Sequence, residues 1–274
     1  MESRRITSTA NATVREAARL RLKKHRQSGR RFLVEGEDLL EAALAGGFIP
    51  RQVFVLEGAA GSMDRLRRAL RREGPAGAAV HVFECAPPVM DKLSGLGGGS
   101  RVVAVFDFIE RRLPAAHGDL GPLPLLYLAG IGDPGNLGTI VRSASSLGCE
   151  GVLLDPRCAD PFSHKATRAS MGALFSLPVY PDIGTGDLVS ISRRFSREII
   201  CADAREGTPS WQADLGAPLI LALGSEREGI PGEVTQVAAG KVRIPHRDRS
   251  ADSLNVAMAA TVILYEAARQ RTFA

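Results

Sequence analysis

Aromatic residues are scarce in this chain, since Phe, Trp and Tyr together make up 5% of its 274 residues. The core must therefore be built from Leu, Val, Ile and Ala, and a hydrophobic content of 45% suffices for one large domain or two smaller ones. No apolar run reaches the roughly 18 residues that a membrane-spanning helix needs. We therefore expect a folded cytoplasmic protein that does not engage a membrane.

Cysteine is also rare, and the four residues present are Cys85, Cys149, Cys158 and Cys201. They form no CxxC pair and no Cys/His cluster with the spacing of a zinc site. This pattern indicates free thiols in a reducing compartment, and it predicts no metal centre.

Positive charge is concentrated at one end of the chain, where residues 1–31 contain ten Lys or Arg but only two acidic residues. Residues 13–27 have the composition of a basic helix. Such a block suits a polyphosphate partner, although the side chains of a solvated helix face give the same pattern. The candidates for RNA binding are Arg19, Lys23, Lys24, Arg26, Arg30 and Arg31.

Short apolar strands alternate with helices along the whole chain, which predicts an α/β protein. Residues 1–108 form a small α/β domain, in which the predicted strands are 32–36, 52–56, 80–84 and 101–108, and the helices following 13–27 are 37–47 and 62–74. A Pro- and Gly-rich stretch precedes the last of these strands. Residues 109–124 contain three prolines and read as a linker.

Residues 125–274 form the second predicted domain, with strands at 125–130, 151–155, 198–203, 218–224 and 241–245. Because these strands are apolar almost throughout, we expect them to be buried on both faces of a mainly parallel sheet. The predicted helices are 137–148, 163–174, 187–195, 231–238 and 253–271. The last is apolar around most of its circumference, so it should be buried, in part against another chain.

Three segments follow predicted strands and lead into helices, where open α/β sheets bind their ligands. In the first, GIGDPGNLGTIVRSA (130–144), Asn136 lies near a helix start and Arg142 lies among apolar neighbours. Taken alone, these two residues look more like a helix cap and one half of a salt bridge.

The second segment, LALGSEREGIPGEV (221–234), places Gly224 and Gly229 around a polar loop, where the backbone can approach a ligand. The third, RIPHRDRSADSLNVAMAA (243–260), has Ser253 as the expected cap of the last helix. Capping explains Asn255 poorly, so Asn255 is a candidate for binding.

Together and in this order, the segments resemble the SpoU (TrmH-like) branch of the SPOUT RNA methyltransferases. The matching residues are Asn136-Leu-Gly138 with Arg142, Gly224-Ser-Glu226 with Gly229, and Ile244-Pro245 with Ser253-Leu-Asn255. RASMGALFSLPV (168–179) also resembles the family, and FLVEGEDLLEAALAGG resembles the small substrate-binding domain that often precedes it.

The resemblance implies a parallel sheet with a deep C-terminal trefoil knot, which is a rare topology. It further implies a homodimer with the active site between subunits, S-adenosylmethionine as methyl donor, and methylation of a ribose 2′-hydroxyl, typically in large-subunit ribosomal RNA. By resemblance, the donor is held by Leu223, Gly224, Ser225, Gly229, Ile244, Ser253 and Leu254. The residues of the reaction centre would be Asn136, Arg142, Glu226, Ser253 and Asn255.

The family assigns activation of the hydroxyl to the arginine that matches Arg142. A guanidinium is a poor base, so we favour stabilisation of the alkoxide by its charge, with a transiently neutral Arg142 as the alternative. Other functions left open are tRNA ribose methylation, base methylation and non-catalytic RNA binding. A nicotinamide-linked dehydrogenase is disfavoured, because GIGDPGNLG lacks the GxGxxG spacing.

Overall fold

The computed structural model describes residues 3–73, 80–95, 99–115, 120–245 and 254–272, with the backbone alone at positions 60, 65 and 69–73. The chain divides into two compact units. The first comprises Met1–Glu110 together with Phe162–Ser176, and the second comprises Arg111–Pro161 together with Leu177–Ala274.

Helices and strands are interleaved in both halves of the described chain. The first half contains β1 (Ser3–Ile6), α1 (Ala12–Arg19), α2 (Lys23–Gly29), β2 (Arg31–Glu35), α3 (Glu37–Ala45), β3 (Gln52–Leu56), α4 (Ala60–Glu73), β4 (His81–Cys85), α5 (Pro87–Leu93) and β5 (Val102–Asp107). The second half contains β6 (Leu125–Ala129), α6 (Pro134–Ser146), β7 (Gly151–Leu154), α7 (His164–Ala169), α8 (Ala173–Ser176), β8 (Val179–Tyr180), α9 (Thr185–Arg194), β9 (Glu198–Ala202), β10 (Thr208–Pro209), β11 (Leu219–Gly224), α10 (Gly232–Val237), β12 (Gly240–Arg243) and α11 (Val256–Thr272).

The first unit is built on a five-stranded sheet of order β1-β4-β3-β5-β2. Strands β1, β4 and β3 are parallel, whereas β5 runs antiparallel to both β3 and β2. Side chains alternate across the sheet, so that β2 sends Phe32 and Val34 into one apolar core and Leu33 into the other. Both faces of the sheet are therefore covered.

The predicted basic helix over residues 13–27 is wrong as a single element. The chain leaves the helical path between Arg19 and Lys23, and Leu22 is extended (φ −93°, ψ 130°) immediately before α2. Asn11 caps α1 by accepting a hydrogen bond from the Thr13 amide at 2.9 Å. The sequence also predicted no helix in the Pro-rich stretch after β4, where α5 forms with prolines in its first turn.

Residues Phe162–Ser176 belong to the first unit, although the sequence assigned them to the domain 125–274. The Phe162 ring packs 4.9 Å from the Phe32 ring, and the Phe175 ring packs 5.6 Å from that of Phe106. The predicted helix 163–174 is also wrong as one piece, because Met171 (φ 47°) and Gly172 (φ 89°) turn the chain between α7 and α8.

Glu35 anchors this segment, since its buried carboxylate contacts the His164 ring and the Ser94 hydroxyl. Burial alone would raise the pKa of Glu35, but hydrogen bonds from His164, Ser94 and the Gly95 amide outweigh it and lower the pKa from 4.5 to about 2.

This depressed pKa predicts acid sensitivity. The stabilisation is complete above pH 4.5 and is lost as the pH falls from there towards about 2, with a total of about 3 kcal/mol. Urea unfolding at pH 7 and pH 3 should therefore show a smaller decrease in the free energy of unfolding for Glu35→Gln than for the unchanged protein. Glu16→Gln, at an exposed position, should retain the decrease; an equal decrease in all three proteins would refute the role of Glu35.

The second unit contains a seven-stranded sheet of order β10-β12-β9-β11-β6-β7-β8, and every neighbouring pair is parallel. The predicted parallel sheet is thus confirmed; only the short strands β8 and β10 had no counterpart in the prediction. Residues 120–124 of the predicted linker are held on this unit, because the buried Arg197 donates hydrogen bonds to the carbonyl oxygens of Gly121 and Leu123. Helix α11 packs on α6, with the Ser143 and Thr261 hydroxyls 2.7 Å apart.

Candidate functional site

A cavity of about 500 Å³ lies at the carboxyl ends of β9, β11 and β12 in the second unit. This edge is where open parallel sheets bind ligands. The cavity brings together six residues predicted to bind a methyl donor, namely Leu223, Gly224, Ser225, Gly229, Ile244 and Leu254. Ser253, the seventh predicted residue, lies outside the described residues.

The loop after β11 owes its shape to two glycines. A Cβ atom on Gly224 would lie 2.0 Å from the carbonyl carbon of Gly229, so no other residue fits there without moving backbone. Gly229 itself has φ 67° and donates its amide to the carbonyl oxygen of Ser225 at 2.9 Å. The Ser225 amide donates to the carbonyl oxygen of Ala129 at 3.0 Å, which fixes the loop to the end of β6.

Three side chains from three segments meet beside this cavity, which one of them, Glu226, also lines. The Asn255 Nδ2 donates to Asn136 Oδ1 and to Glu226 Oε1, each at 3.2 Å. Glu226 Oε1 also accepts from the Val256 amide at 3.1 Å. The three candidates that the sequence predicted from separate motifs therefore form one hydrogen-bonded network. Because Asn136 Oδ1 is used as an acceptor, its NH₂ group is the part available to donate to a substrate.

The helix caps differ from the expectation in both motifs. Asp133 caps α6 by accepting from the Asn136 amide at 2.9 Å, so Asn136 is not the cap. Helix α11 begins at Val256 rather than at 253, and the Asn255 Oδ1 accepts from the Ala257 amide at 2.9 Å. The expectation that capping explains Asn255 poorly was wrong, since Asn255 caps the helix with its oxygen and bridges the network with its nitrogen.

Arg142 is exposed, and within the described part of the chain it makes no hydrogen bond or ion pair. The alternative of a structural salt bridge therefore has no support. Arg142 follows Asn136 by six residues, which places the two side chains roughly 120° apart around α6. Arg142 is also absent from the residues that line the cavity of its own chain.

Sequence reasoning missed the cavity wall formed by residues 201–205, at the end of β9 and just after it. Burial alone would raise the pKa of Asp203, but hydrogen bonds from the Arg205 and Glu206 amides and from Lys241 lower it below its usual value. Lys241 lies on β12, and its Nζ is 3.2 Å from the Asp203 carboxylate. This ion pair holds residues 201–205 against β12. The sequence did contain a signal for this wall, because the apolar strand EIICAD ends at the same edge of the sheet as the other strands of the site.

The predicted RNA-binding residues of the first unit fall into three groups. Arg19, Lys23 and Lys24 are exposed. Arg30 and Arg31 are paired on the surface with Glu110 and Glu16. The prediction for Arg26 was wrong, since it is 4% exposed and its guanidinium donates to the carbonyl oxygens of Leu20 (2.9 Å) and Arg21 (2.8 Å).

Comparison with known proteins agrees with this geometry. The SpoU rRNA methylase family profile matches residues 124–265, which include every motif at the cavity. This chain belongs to the SpoU rRNA methylase family. An MRM3-like substrate binding domain matches residues 11–104, the greater part of the first unit.

Individual members of the SpoU family match over nearly the full chain. An uncharacterized tRNA/rRNA methyltransferase of Synechocystis is 32% identical, with 97% of this chain and 94% of the relative covered. The 23S rRNA guanosine 2′-O-methyltransferase RlmP of Bacillus subtilis is 25% identical, with 96% and 98% covered. The crystal structure of an AdoMet-bound rRNA methyltransferase from Sinorhizobium meliloti has a TM-score of 0.84 at 28% identity, with 99% of each chain covered.

Two further properties of the described residues bear on the site. No group of three His, Cys, Asp or Glu side chains is arranged to hold a metal ion. None of the helices combines the length and apolar character that crossing a bilayer requires.

Proposed function

We propose that this protein is an S-adenosylmethionine-dependent methyltransferase that modifies a ribose 2′-hydroxyl in large-subunit ribosomal RNA. The observation that carries the proposal is the Asn136–Asn255–Glu226 network beside a cavity lined by Gly224 and Gly229. Membership of the SpoU rRNA methylase family and the 2′-O specificity in the name of the Bacillus relative support it. We also propose that the protein acts in the cytoplasm.

The cavity fits the proposed donor. Its volume of about 500 Å³ is within the range of sites for small molecules. The backbone at Gly229 is open to a ligand, because a Cβ atom there would meet nothing within 4 Å, whereas Gly224 lets the backbone of the loop pack closely against β11. Leu223, Ile244 and Leu254 supply apolar walls. When bound, S-adenosylmethionine supplies a methyl group that its sulfonium has already activated.

The protein's own task is then to orient the ribose and ease loss of its proton. The Asn136 NH₂ group can donate to the ribose or to a neighbouring phosphate. Arg142 stabilises the developing alkoxide by its charge, since a guanidinium is a strong hydrogen-bond donor and a poor base. Glu226 and Asn255 hold Asn136 in place.

We propose a homodimer in which Arg142 serves the site of the partner subunit. Helix α11 carries an exposed apolar stripe of Met258, Val262 and Tyr265, preceded by Leu254. At 100° per residue these side chains fall on one helix face, which suits burial against a second copy. Arg142 does not line the cavity of its own chain, which is compatible with the same arrangement. Family membership further supports a knotted C-terminal portion.

One experiment separates the proposed activity from its alternatives. Unmethylated ribosomal RNA and tRNA are incubated with the protein and a donor labelled in the methyl group, and the RNA is digested. We expect the label in nuclease-resistant dinucleotides from ribosomal RNA, because 2′-O-methylation blocks cleavage of the adjacent bond. Label in single nucleotides would indicate base methylation, label in tRNA alone would change the substrate, and RNA binding without any transfer would indicate a non-catalytic protein.

We expect the exposed cationic side chains of α1 and α2 to bind the RNA. Replacing Arg19, Lys23 and Lys24 together by Ala should weaken RNA binding and reduce the slope of log affinity against log salt by about 2–3. Substitution is preferable to deletion, because Val14 and Ala17 on α1 belong to the core. Arg193→Ala, at an exposed site on α9, should leave the slope unchanged; an unchanged slope in the triple variant would refute the role of these helices.

A further inference from the structure

Two residues that the mechanism does not use, Asp155 and Arg157, lie just after β7 in the second unit. They stand between two loops of the site. The first loop comprises residues 130–133 and leads from β6 to Asn136, and the second loop comprises residues 225–231 and lines the donor cavity.

Asp155 fixes the start of the first loop. Its side chain is 7% exposed, and its Oδ1 accepts from the Gly130 amide at 3.1 Å and from the Arg157 amide at 2.8 Å. Gly130 has φ 66°, so the chain turns there directly after β6. A buried carboxylate with these partners holds the turn in one place.

Arg157 extends this contact to the second loop. Its Nε and Nη2 donate to Asp155 Oδ2 at 3.0 and 2.9 Å, and its Nη1 donates to Glu228 Oε2 at 2.9 Å. The planar guanidinium therefore spans two carboxylates with a fixed geometry. Glu228 is itself held in the second loop, because its amide donates to Ser225 Oγ at 3.1 Å.

The second loop is also linked to the start of α6, which follows the first loop, because Asn255 joins Asn136 to Glu226. The second loop is thus connected to the segment 130–136 at two points, through Asp155 and Arg157 at one and through Asn255 at the other. Because of these two connections, a movement of the second loop also moves the segment that carries Asn136.

Resting on the proposed function, we propose that Asp155 and Arg157 are positioning residues that couple occupation of the donor cavity to the placement of Asn136 against the ribose. Neither residue touches the reacting atoms. Donor binding would restrict the motion of the second loop. Through the contact of Arg157 with Asp155, it would restrict the motion of the first loop as well.

The test replaces Arg157 by Gln in the full chain. We expect the dissociation constant for S-adenosylmethionine to rise by up to about fivefold in calorimetry, and kcat at saturating donor to fall by a similar factor, because the Arg157–Glu228 pair is exposed to solvent. The KM for RNA should change little, because the exposed cations of α1 and α2 supply most of the proposed RNA affinity. Arg157→Lys, which keeps the charge but not the fork, should recover part of both losses. Arg193→Gln removes the same charge from an exposed position on α9 and should behave as the unchanged protein.

A double-mutant cycle with Glu228→Gln sharpens the result. If Arg157 acts through Glu228, the double variant should be no worse than the worse single variant. Additive losses would overturn the proposal, as would an Arg157→Gln protein that matches Arg193→Gln. Reduced activity with unchanged donor affinity and KM would reveal only a smaller folded fraction, and would overturn it as well. Failure of the unchanged protein to bind donor or transfer methyl would instead refute the proposed function.

Discussion

Arg142→Ala should reduce the rate of methyl transfer about a thousandfold while leaving the affinity for S-adenosylmethionine unchanged. The reason is geometric, since Arg142 is exposed, has no partner among the described residues and does not line the donor cavity. If Arg142 stabilises the alkoxide as proposed, its loss removes that charge without disturbing the donor site. Single-turnover transfer and donor calorimetry measure the two effects separately. Retained single-turnover activity would refute the assignment of Arg142.

Mixed dimers test where Arg142 acts. If it serves the partner's site, subunits carrying Arg142→Ala and subunits carrying Gly224→Ala complement each other, because one of the two sites in each mixed dimer has an intact cavity and an intact arginine. Random mixing of equal amounts should then restore about a quarter of the unmixed wild-type activity. Absence of any restoration after exchange of subunits, verified by mass, would place Arg142 in the site of its own chain.

Gly224→Ala should weaken donor binding on the order of a hundredfold or more, because displacements of about 1 Å in a site have effects of that size. The added methyl group would meet the carbonyl carbon of Gly229 at 2.0 Å, its oxygen at 2.2 Å and the Ile230 amide nitrogen at 2.3 Å. All three are backbone atoms, so the loop itself must move.

Gly232→Ala is the matched control for this prediction. Gly232 begins α10, close in sequence to the same loop, and an added Cβ there meets nothing within 4 Å. Alanine is the better helix former, so this variant should be slightly more stable and bind donor normally. Calorimetric titration of both variants decides the matter: equal donor affinities would show that the close approach at Gly224 is unimportant.

The strands of the parallel sheet could be predicted because burial on both faces requires long apolar runs, as in LLYLA and LILALG. The candidate site could be predicted because its motifs follow such strands in a known order. Helix ends were harder to predict. Asp133 and Asn255 both cap helices, but a capping residue and a binding residue are the same residue types, and only coordinates separate the two roles.

Long-range packing was beyond the sequence. Nothing in residues 162–176 indicates that Phe162 and Phe175 join the core around Phe32 rather than that of the second sheet. Similarly, Arg26 looks like its basic neighbours in sequence, yet its guanidinium closes the turn between α1 and α2. Patterns of hydrophobicity predict that a side chain is buried, but they do not predict which neighbours it packs against.

The segment Phe162–Ser176 limits how such enzymes can be truncated and how their domains can be exchanged. The chain passes between the two units at 110/111, 161/162 and 176/177, so the units are joined by three covalent connections rather than one. A truncated protein that begins at residue 111 would retain Phe162, His164 and Phe175 without Phe32 and Glu35, which bury them. Swapping recognition domains between relatives, by evolution or by engineering, therefore requires matched changes within 162–176 as well as a new N-terminal half.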